Sequence, residues 1–394
     1  MKPPVADAVI IGGGIAGLWT LSRLLAAGRT ACLLEKTALG AGQSVASQGI
    51  IHGGLKYALD GTLTQAARAI ADMPARWRAA LAGGDPDLSA ARQSADSQLM
   101  WIPPGLGSRF LTLVAAKAGR ADASRLDPGE WPDVFRDSPF SGQIVRHGEP
   151  VLDVPGVLSA LRVICAPFIR TLPEGGLRLE KTGDGCYQVV IGEDLRLAAA
   201  KIICMAGEGN TALIAQAGAA EAVATQTRPL HMLMLRDAPG ELYAHCLGRG
   251  YSPKLTVTTH YDRDGRRIWY VGGQIAEDGV AWDEETLIAR GRERLAEALP
   301  WIDFSACSHA GFRIDRAEPK TRFGHRPDAP VIREWGNILF AWPSKLAFAP
   351  ALADRVTERV DGGAAMNGAE LAEALSVLDV PDVAAPPWEN AAWK

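Results

Sequence analysis

A glycine-rich turn near the amino terminus constrains the fold of this chain more than any other feature. Gly12, Gly14 and Gly17 follow an apolar run over residues 7–11 and precede a helical pattern over residues 18–27. Glycines at this spacing allow a tight turn, a close approach of the backbone to a pyrophosphate, and close packing of helix on strand. The pattern therefore predicts a strand, a turn and a helix whose amino terminus binds an anionic dinucleotide.

A carboxylate follows at the position that such a unit needs. Glu35 lies 23 residues after Gly12, at the end of an apolar strand over residues 30–34, where a carboxylate can accept hydrogen bonds from ribose hydroxyls. The three elements form a βαβ dinucleotide site, although the motif by itself does not distinguish NAD(P) from FAD. The predicted cofactor contacts in this unit are Gly12, Gly14, Ile15, Ala16, Gly17, Glu35 and Lys36.

The next segment resembles a known family. Residues 44–57 have the sequence Ser-Val-Ala-Ser-Gln-Gly-Ile-Ile-His-Gly-Gly-Leu-Lys-Tyr. This resembles the flavin-side loop of the D-amino-acid oxidase superfamily. It is most similar to the Ile-His-Gly-Gly-Leu-Arg-Tyr motif of FAD-dependent glycerol-3-phosphate dehydrogenases, and L-2-hydroxyglutarate oxidases have a related pattern. The resemblance continues at Cys204-Met-Ala206-Gly207, Gly311-Phe-Arg313 and residues 337–341, and it implies FAD as the cofactor.

The resemblance also implies the fold. We expect an α/β fold in which a Rossmann-like FAD-binding domain is interleaved with an α+β substrate domain built on an antiparallel sheet. The β-rich runs at 232–235, 255–260 and 268–271 fit such a sheet, and Asp262 to Gly265 form a hairpin-like turn between the last two. The predicted segments are 1–82, 150–225 and 306–362 for FAD binding, 83–149 and 226–305 for substrate, and 363–394 for a carboxyl-terminal helix and tail.

Helices and a tryptophan-containing tail complete the predicted secondary structure. Helical patterns cover residues 109–118, 151–169, 284–299 and 344–360. The tail carries Trp388 and Trp393, which we expect to pack on the body of the protein or on a partner.

Further FAD contacts are implied by the resemblance. They are Ser44, Ser47, Gln48, Gly49, His52, Ala206, Gly207, Arg313, Ser344, Lys345 and Leu346. The chain departs from the family after the last strand, where Trp342-Pro-Ser-Lys345 replaces a glycine-rich turn. A cation in the first turn of a helix opposes the helix dipole unless an anion is near, so Lys345 predicts a flavin anion or an acidic substrate there. The alternative is a lysine that only reaches solvent.

Four residues are predicted to take part in catalysis: His52, His231, Arg313 and Lys345. His52 is a base, a flavin contact or a covalent attachment point, or it only holds its loop. His231 is the first choice for the base, because imidazole titrates near neutral pH. Arg313 resembles a family arginine that clamps a carboxylate or phosphate with two hydrogen bonds. Arg316, Lys320 and Arg322 could enlarge that anion site, and the predicted substrate contacts are Tyr57, Tyr251, Lys254 and His260.

Composition excludes several other classes of protein. The 394 residues include 41 basic and 45 acidic side chains, so no basic excess is available for nucleic acid. The six cysteines form no metal-binding pattern, which favours reduced thiols in the cytoplasm, and no metal is expected. Glycines cut the amino-terminal apolar run after Ile11, so we expect neither a signal peptide nor a transmembrane segment, and peripheral membrane contact stays open.

These observations favour an FAD-dependent oxidoreductase. Its substrate is expected to be small and anionic, a hydroxy acid or a polyol phosphate that is dehydrogenated by hydride transfer to flavin N5. The electron acceptor is open among oxygen, a quinone and a carrier. An amine or amino-acid oxidase of the same superfamily is the first alternative, because hydride transfer from a carbon bonded to nitrogen needs similar geometry. A flavin-binding protein without turnover and an NAD(P)-dependent dehydrogenase are the others.

Overall fold

The computed structural model describes residues 5–53, 70–105, 123–248 and 253–394. The helix predicted over residues 109–118 lies outside these ranges. The described strands are β1 (Val5–Ile11), β2 (Ala31–Glu35), β3 (Gln93–Ala95), β4 (Gln98–Ile102), β5 (Ala123–Arg125), β6 (Gln143–His147), β7 (Val151–Leu152), β8 (Ile169–Thr171), β9 (Leu177–Lys181), β10 (Tyr187–Ile191), β11 (Leu195–Cys204), β12 (Thr225–Arg236), β13 (Ala244–Cys246), β14 (Leu255–Tyr261), β15 (Arg267–Gly272), β16 (Ser308–Pro319), β17 (Val331–Trp335) and β18 (Ile338–Trp342). The described α-helices are α1 (Ile15–Ala26), α2 (Met73–Leu81), α3 (Val154–Cys165), α4 (Asn210–Gln216), α5 (Gln274–Asp278), α6 (Glu284–Ala298), α7 (Ala349–Thr357) and α8 (Gly368–Ala374).

The first eight-stranded sheet contains the predicted βαβ unit. Its main path runs β17, β18, β11, β1, β2 and β8, and the pairs from β18 to β8 are parallel. Strand β10 extends it by antiparallel pairing with β11, and β9 pairs antiparallel with β10. Its inner strands are apolar on both faces because each face packs into a core: Ile10 and Leu33 join the core that includes α1, and Val9 and Cys32 the core that includes α4.

The second eight-stranded sheet has the order β16, β12, β15, β14, β13, β4, β6 and β5. Its pairs are antiparallel except β13 with β4. Leu233 and Trp269 pack with Leu287 of α6 on one face, and Met232 and Tyr270 lie on the other. The chain therefore has the predicted α/β fold, a Rossmann-like domain interleaved with an α+β part built on an antiparallel sheet.

Residues 308–319 belong to the second sheet, although they lie in the segment 306–362 that is predicted for FAD binding. Strand β16 pairs along its whole length with β12, from Ser308 opposite Arg236 to Pro319 opposite Thr225. The chain returns to the first sheet only at β17, so the segment 306–362 is shared between the two sheets. Twelve residues of continuous pairing with β12 decide this placement, and no local pattern in the segment reveals it. The exact domain boundaries stay a prediction.

The carboxyl-terminal tail packs on the body of the protein. Trp388 is buried beside Tyr270, and the backbone of Lys394 exchanges two hydrogen bonds of 2.9 Å with His309. The predicted helix over residues 344–360 is shorter than expected: a 3-10 turn, Leu346–Phe348, precedes α7. Within the described ranges, no helix is long and apolar enough to cross a membrane.

Candidate active site

A cavity of about 780 Å³ lies where the two sheets face each other. One wall consists of residues at the carboxyl ends of β1, β2, β11 and β18, and the other includes Leu230 and Met232 of β12 and Ile314 of β16. Open parallel sheets bind ligands at the carboxyl ends of their strands, and the volume is typical of a cofactor or small-molecule site.

The glycine turn shapes one end of this cavity. Gly12 has a φ of +113°, and a Cβ there would lie 2.5 Å from the carbonyl oxygen of Met205. Gly14 precedes α1 as its N-cap without a capping side chain, and Ser44 Oγ accepts a hydrogen bond of 3.0 Å from the N–H of Ile15. Gly12, Gly14, Ile15, Ala16 and Ser44 all line the cavity, at the helix end that favours anions. Gly17 does not line it and instead permits the close packing of α1 on β1.

Glu35 lies at the end of β2, as the sequence predicts. Its Oε2 accepts a hydrogen bond of 2.6 Å from the N–H of Gly13, and its Oε1 accepts bonds of 2.7 and 3.0 Å from Lys36 and Thr37. A carboxylate offers about four acceptor positions, so capacity remains for a ribose hydroxyl. Glu35 and Lys36 both line the cavity.

The loop over residues 44–53 crosses from the first sheet to the second. Gln48 Nε2 donates hydrogen bonds of 2.9 and 3.1 Å to the carbonyl oxygens of Tyr270 and Thr256, so its side chain ties the loop to the antiparallel sheet. Gly49 has a φ of +72°, and a Cβ there would lie 2.3 Å from the carbonyl oxygen of Leu152. Ser47, Gln48 and Gly49, which are predicted FAD contacts, line the cavity.

Two buried polar atoms in the cavity wall indicate that a polar ligand fits there. Within the described ranges, neither Ser47 Oγ nor Trp342 Nε1 has a hydrogen-bond partner. A buried donor without a partner costs about 1–3 kcal/mol, so a ligand with hydroxyl and carbonyl groups would remove this penalty. Together with the glycine cradle and Glu35, these atoms fit FAD.

The other predicted cofactor contacts also line the cavity. Ala206 and Gly207 follow β11, and Gly207 has a φ of +58°. Ser344, Lys345 and Leu346 follow β18. The ammonium nitrogen of Lys345 lies 5.6 Å from the ring centre of Phe348, and the residue immediately precedes the 3-10 turn.

His52 lines the cavity and is paired with a buried carboxylate. Its Nδ1 lies 3.3 Å from Oε2 of Glu149, and 42% of its side chain is exposed. Glu149 is 97 residues away from His52 in the chain, and no local sequence pattern indicates this contact. Hydrogen bonds from His52 and the N–H of Gly53, together with the charges of His147 and His52, hold the pKa of Glu149 well below its usual range despite burial.

Two predicted catalytic residues lie away from the cavity. His231 Nδ1 is 3.0 Å from the carbonyl oxygen of Gly279, and burial lowers the pKa of His231. Arg313 donates hydrogen bonds to the carbonyl oxygens of Val280 and Trp282. Neither is part of the cavity wall, whereas their strand neighbours Met232 and Ile314 are. Side chains alternate between the faces of a sheet, so both predicted residues point to the opposite face.

The predicted substrate contacts are not gathered at the cavity. Lys254 forms an ion pair of 2.9 Å with Glu297 of α6. His260 stacks on Trp388 with ring centres 4.3 Å apart, and burial lowers its pKa to about 3. Tyr57 and Tyr251 lie outside the described residues.

Two arginines instead line the cavity. Arg316, which the sequence named only as a possible extension of an anion site, and Arg326, which it did not identify, are both in the wall. Arg316 stands directly opposite Arg228 of β12, and its Nε donates a hydrogen bond of 3.1 Å to the Arg228 carbonyl oxygen. Burial and the charges of Arg228 and Arg326 lower the pKa of Arg316 to about 10. Arg316 lies two residues after Ile314 along β16, so the alternation of side chains in a strand places both on the same face.

Comparison with known proteins gives a consistent assignment. A family model described as "FAD dependent oxidoreductase" (DAO) matches residues 7–359. The chain is 44% identical, over 98% of both chains, to the probable FAD-dependent oxidoreductase PA4991 of Pseudomonas aeruginosa. It superposes on the crystal structure of that protein with a TM-score of 0.83, at 38% identity and 99% coverage of both chains.

More distant structures share the fold. Glycine oxidase from Geobacillus kaustophilus has a TM-score of 0.65 at 14% identity, covering 92% of this chain and 96% of that one. The L-α-glycerophosphate oxidase of Mycoplasma pneumoniae, solved with FAD bound, has a TM-score of 0.63 at 15% identity, covering 92% and 98%.

The fold and the cavity define a flavin-dependent oxidoreductase. The chain belongs to the DAO family of FAD-dependent oxidoreductases, and FAD is its cofactor.

Proposed function

We propose that this enzyme dehydrogenates a small anionic substrate, a hydroxy acid or a polyol phosphate. The observation that carries the proposal is the presence of Arg316 and Arg326 in the cavity wall. Like charges directly opposite each other on neighbouring strands are destabilising, and Arg228 and Arg316 have this arrangement. Glu318 pairs with Arg228 at 3.3 Å, but among the described residues neither cavity arginine has an ion-pair partner. A bound carboxylate or phosphate would neutralise them.

The cofactor pyrophosphate is a weaker candidate for this anion. The amino terminus of α1 offers the pyrophosphate its own site at Gly14 and Ile15. The arginines therefore remain available for the charged group of a substrate, which a planar guanidinium can hold with two parallel hydrogen bonds.

His52 is the proposed base in this function. When bound, FAD would supply the two-electron acceptor for the hydride that leaves the carbon next to the substrate oxygen. His52 accepts the hydroxyl proton, because its imidazole is in the cavity wall and is paired with the carboxylate of Glu149. Lys345 adds positive charge to the same cavity, where negative charge develops.

We also propose that the activity is similar to that of glycerol-3-phosphate dehydrogenases and L-2-hydroxyglutarate oxidases, and that the protein is located in the cytoplasm. The electron acceptor is oxygen, a quinone or a carrier.

The first experiment is the visible absorption spectrum of the purified protein before and after acid precipitation. Flavin in the supernatant establishes non-covalent FAD. Colour in the pellet points to covalent attachment, for which His52 is the candidate. An anaerobic screen of hydroxy acids, polyol phosphates and amines then identifies compounds that bleach the flavin.

Arginine variants test the anion site. In Arg316→Gln and Arg326→Gln, we expect the substrate Kd for flavin bleaching to rise about 10- to 100-fold while FAD content is retained, because a charge-assisted hydrogen bond contributes about 1.5–3 kcal/mol. Arg178→Gln, which removes an exposed charge on β9, is the matched control. Bleaching by amines alone, or loss of FAD instead of substrate affinity in the variants, would contradict the proposal.

A further inference from the structure

The buried carboxylate of Glu149 is in contact with His52, the histidine in the cavity wall. Glu149 is on the connection between β6 and β7 and is 3% exposed. Its Oε1 accepts a hydrogen bond of 2.7 Å from the N–H of Gly53, and its Oε2 lies 3.3 Å from Nδ1 of His52. The carboxylate therefore contacts the loop at two points, the backbone N–H of Gly53 and the imidazole of His52.

Two further histidines surround this pair. Nδ1 of His147, which is fully buried, lies 3.7 Å from Oε2 of Glu149. The ring of His245 is stacked with each of the other two rings, with centres 6.0 Å from His52 and 6.1 Å from His147. The chain has seven histidines, and three of them cluster near the carboxylate of Glu149. Among the described residues, no group of His, Cys, Asp and Glu side chains is arranged to hold a metal ion.

We propose that Glu149 is a positioning residue, which keeps a hydrogen on Nδ1 of His52 and thereby leaves Nε2 as the atom that accepts the substrate proton. This inference rests on the proposed function, in which His52 is the base. It adds a residue 97 positions away in the chain.

The proton inventory of the two side chains supports this role. A neutral imidazole has one N–H and one acceptor nitrogen, whereas an ionised carboxylate can only accept. The nitrogen that faces Glu149 is Nδ1, so the favoured neutral form has the hydrogen there. When Nε2 takes a proton from the substrate hydroxyl, the imidazolium that forms is stabilised by the same carboxylate.

Hydrogen bonds and nearby charge keep Glu149 ionised, and burial is the main reason why His245 is neutral. Hydrogen bonds from His52 and Gly53 and the nearby charge of His147 hold the pKa of Glu149 below its usual range. Burial, followed by the charges of His52 and His147, lowers the pKa of His245 to about 3. From α2, Arg78 contributes a further positive charge nearby, because its Nη2 donates a hydrogen bond of 2.6 Å to the carbonyl oxygen of Gly148.

The test begins with the wild-type holoenzyme and needs no substrate. Nitrogen-15 labelling of the histidines, with His52→Ala used to assign its signals, reports which ring nitrogen of His52 carries hydrogen. We expect the Nδ1–H form to dominate when the ring is neutral. A dominant Nε2–H form would overturn the inference, and this holds even if no Glu149 variant folds.

Variants of Glu149 then connect the tautomer to catalysis. In Glu149→Gln we expect both neutral forms of His52 to be populated, and flavin bleaching by an identified substrate to slow about 100-fold or more with little change in substrate Kd. Glu180→Gln, which removes an exposed carboxylate on β9, should change neither. An unchanged tautomer ratio in Glu149→Gln would also count against the inference. If only amines bleach the flavin, the proposed function fails while the tautomer result still stands or falls by itself.

Discussion

The carbonyl oxygen of Gly12 lies 2.0 Å from the point where a Cβ atom on Gly17 would stand. The first and last glycines of the turn are thus in contact through space, and the backbone of α1 rests on the end of β1. In Gly17→Ala we expect the free energy of unfolding to fall by about 1–3 kcal/mol, because helix and strand must separate, and FAD content to fall with it. Gly129→Ala, at a glycine with open space around its Cβ position, is the control. Equal FAD content in both variants would contradict this packing.

The ribose contact predicts a graded effect at Glu35. The Glu35→Ala change removes the acceptor of three backbone hydrogen bonds and the proposed partner of the ribose. We expect the Kd for FAD, measured by fluorescence titration of the deflavinated protein, to rise about 10- to 100-fold. Glu35→Gln should have a smaller effect, because its amide oxygen still accepts. An unaltered Kd in Glu35→Ala would remove Glu35 from the site.

Arg313 provides a direct comparison between the sequence prediction and the structure. Its guanidinium bonds to the carbonyl oxygens of Val280 and Trp282, on the face of β16 away from the cavity. In Arg313→Gln we therefore expect substrate Kd for flavin bleaching within about twofold of wild type, since a lost contact there costs stability rather than binding. A rise of the size expected for Arg316→Gln would restore Arg313 to the anion site.

The tail is expected to contribute measurable stability. Trp388 is 5% exposed, and its ring is stacked 4.3 Å from the ring of His260. Trp388→Ala should lower the free energy of unfolding by about 3–5 kcal/mol, as for other buried aromatic side chains. Trp393 is partly buried and lies 4.8 Å from the guanidinium carbon of Arg236, so Trp393→Ala should cost about 1 kcal/mol or less for this contact. Similar losses in urea unfolding of both variants would contradict the assignment.

Buried histidines predict a loss of stability in acid. Burial lowers the pKa of His260 from 6.5 to about 3. Between these values the unfolded chain binds the proton and the folded protein does not, so stability rises with pH. The contribution of the unprotonated His260 to the free energy of unfolding is complete above pH 6.5 and is lost as the pH falls towards 3. The buried His245 behaves in the same way and remains in a His260 variant.

Replacement of His260 isolates one of these protons. His260→Gln and His260→Phe should both reduce the dependence of unfolding free energy on pH by about 1.4 kcal/mol per pH unit in that range. The two variants differ in how they stack on Trp388, so they should differ in absolute stability but share the reduced slope. A wild-type slope in both would show that His260 titrates normally in the folded protein.

Local sequence determined the dinucleotide-binding half of the protein. The turn from Gly12 to Gly17 and the carboxylate of Glu35 act within one βαβ unit, where steric fit of glycine and the ends of neighbouring strands fix the geometry. The structure gives β1, α1 and β2 at the predicted places, and the loop around Ser44 lines the cavity as expected. The family resemblance supplied the cofactor and the fold class.

The substrate side depended on the tertiary structure, because a shift of one residue moves a strand side chain to the other face of the sheet. Arg313 and Ile314 are neighbours in the chain but lie on opposite faces of the sheet, and so do His231 and Met232. The pairing of β16 with β12 decides which face each side chain occupies. Glu149 reaches His52 across 97 residues of chain, which no local pattern can reveal. Short-range geometry in the sequence therefore determined that the chain binds a dinucleotide, and the family resemblance indicated that the dinucleotide is FAD. Long-range pairing and burial alone decided which charged groups line the cavity.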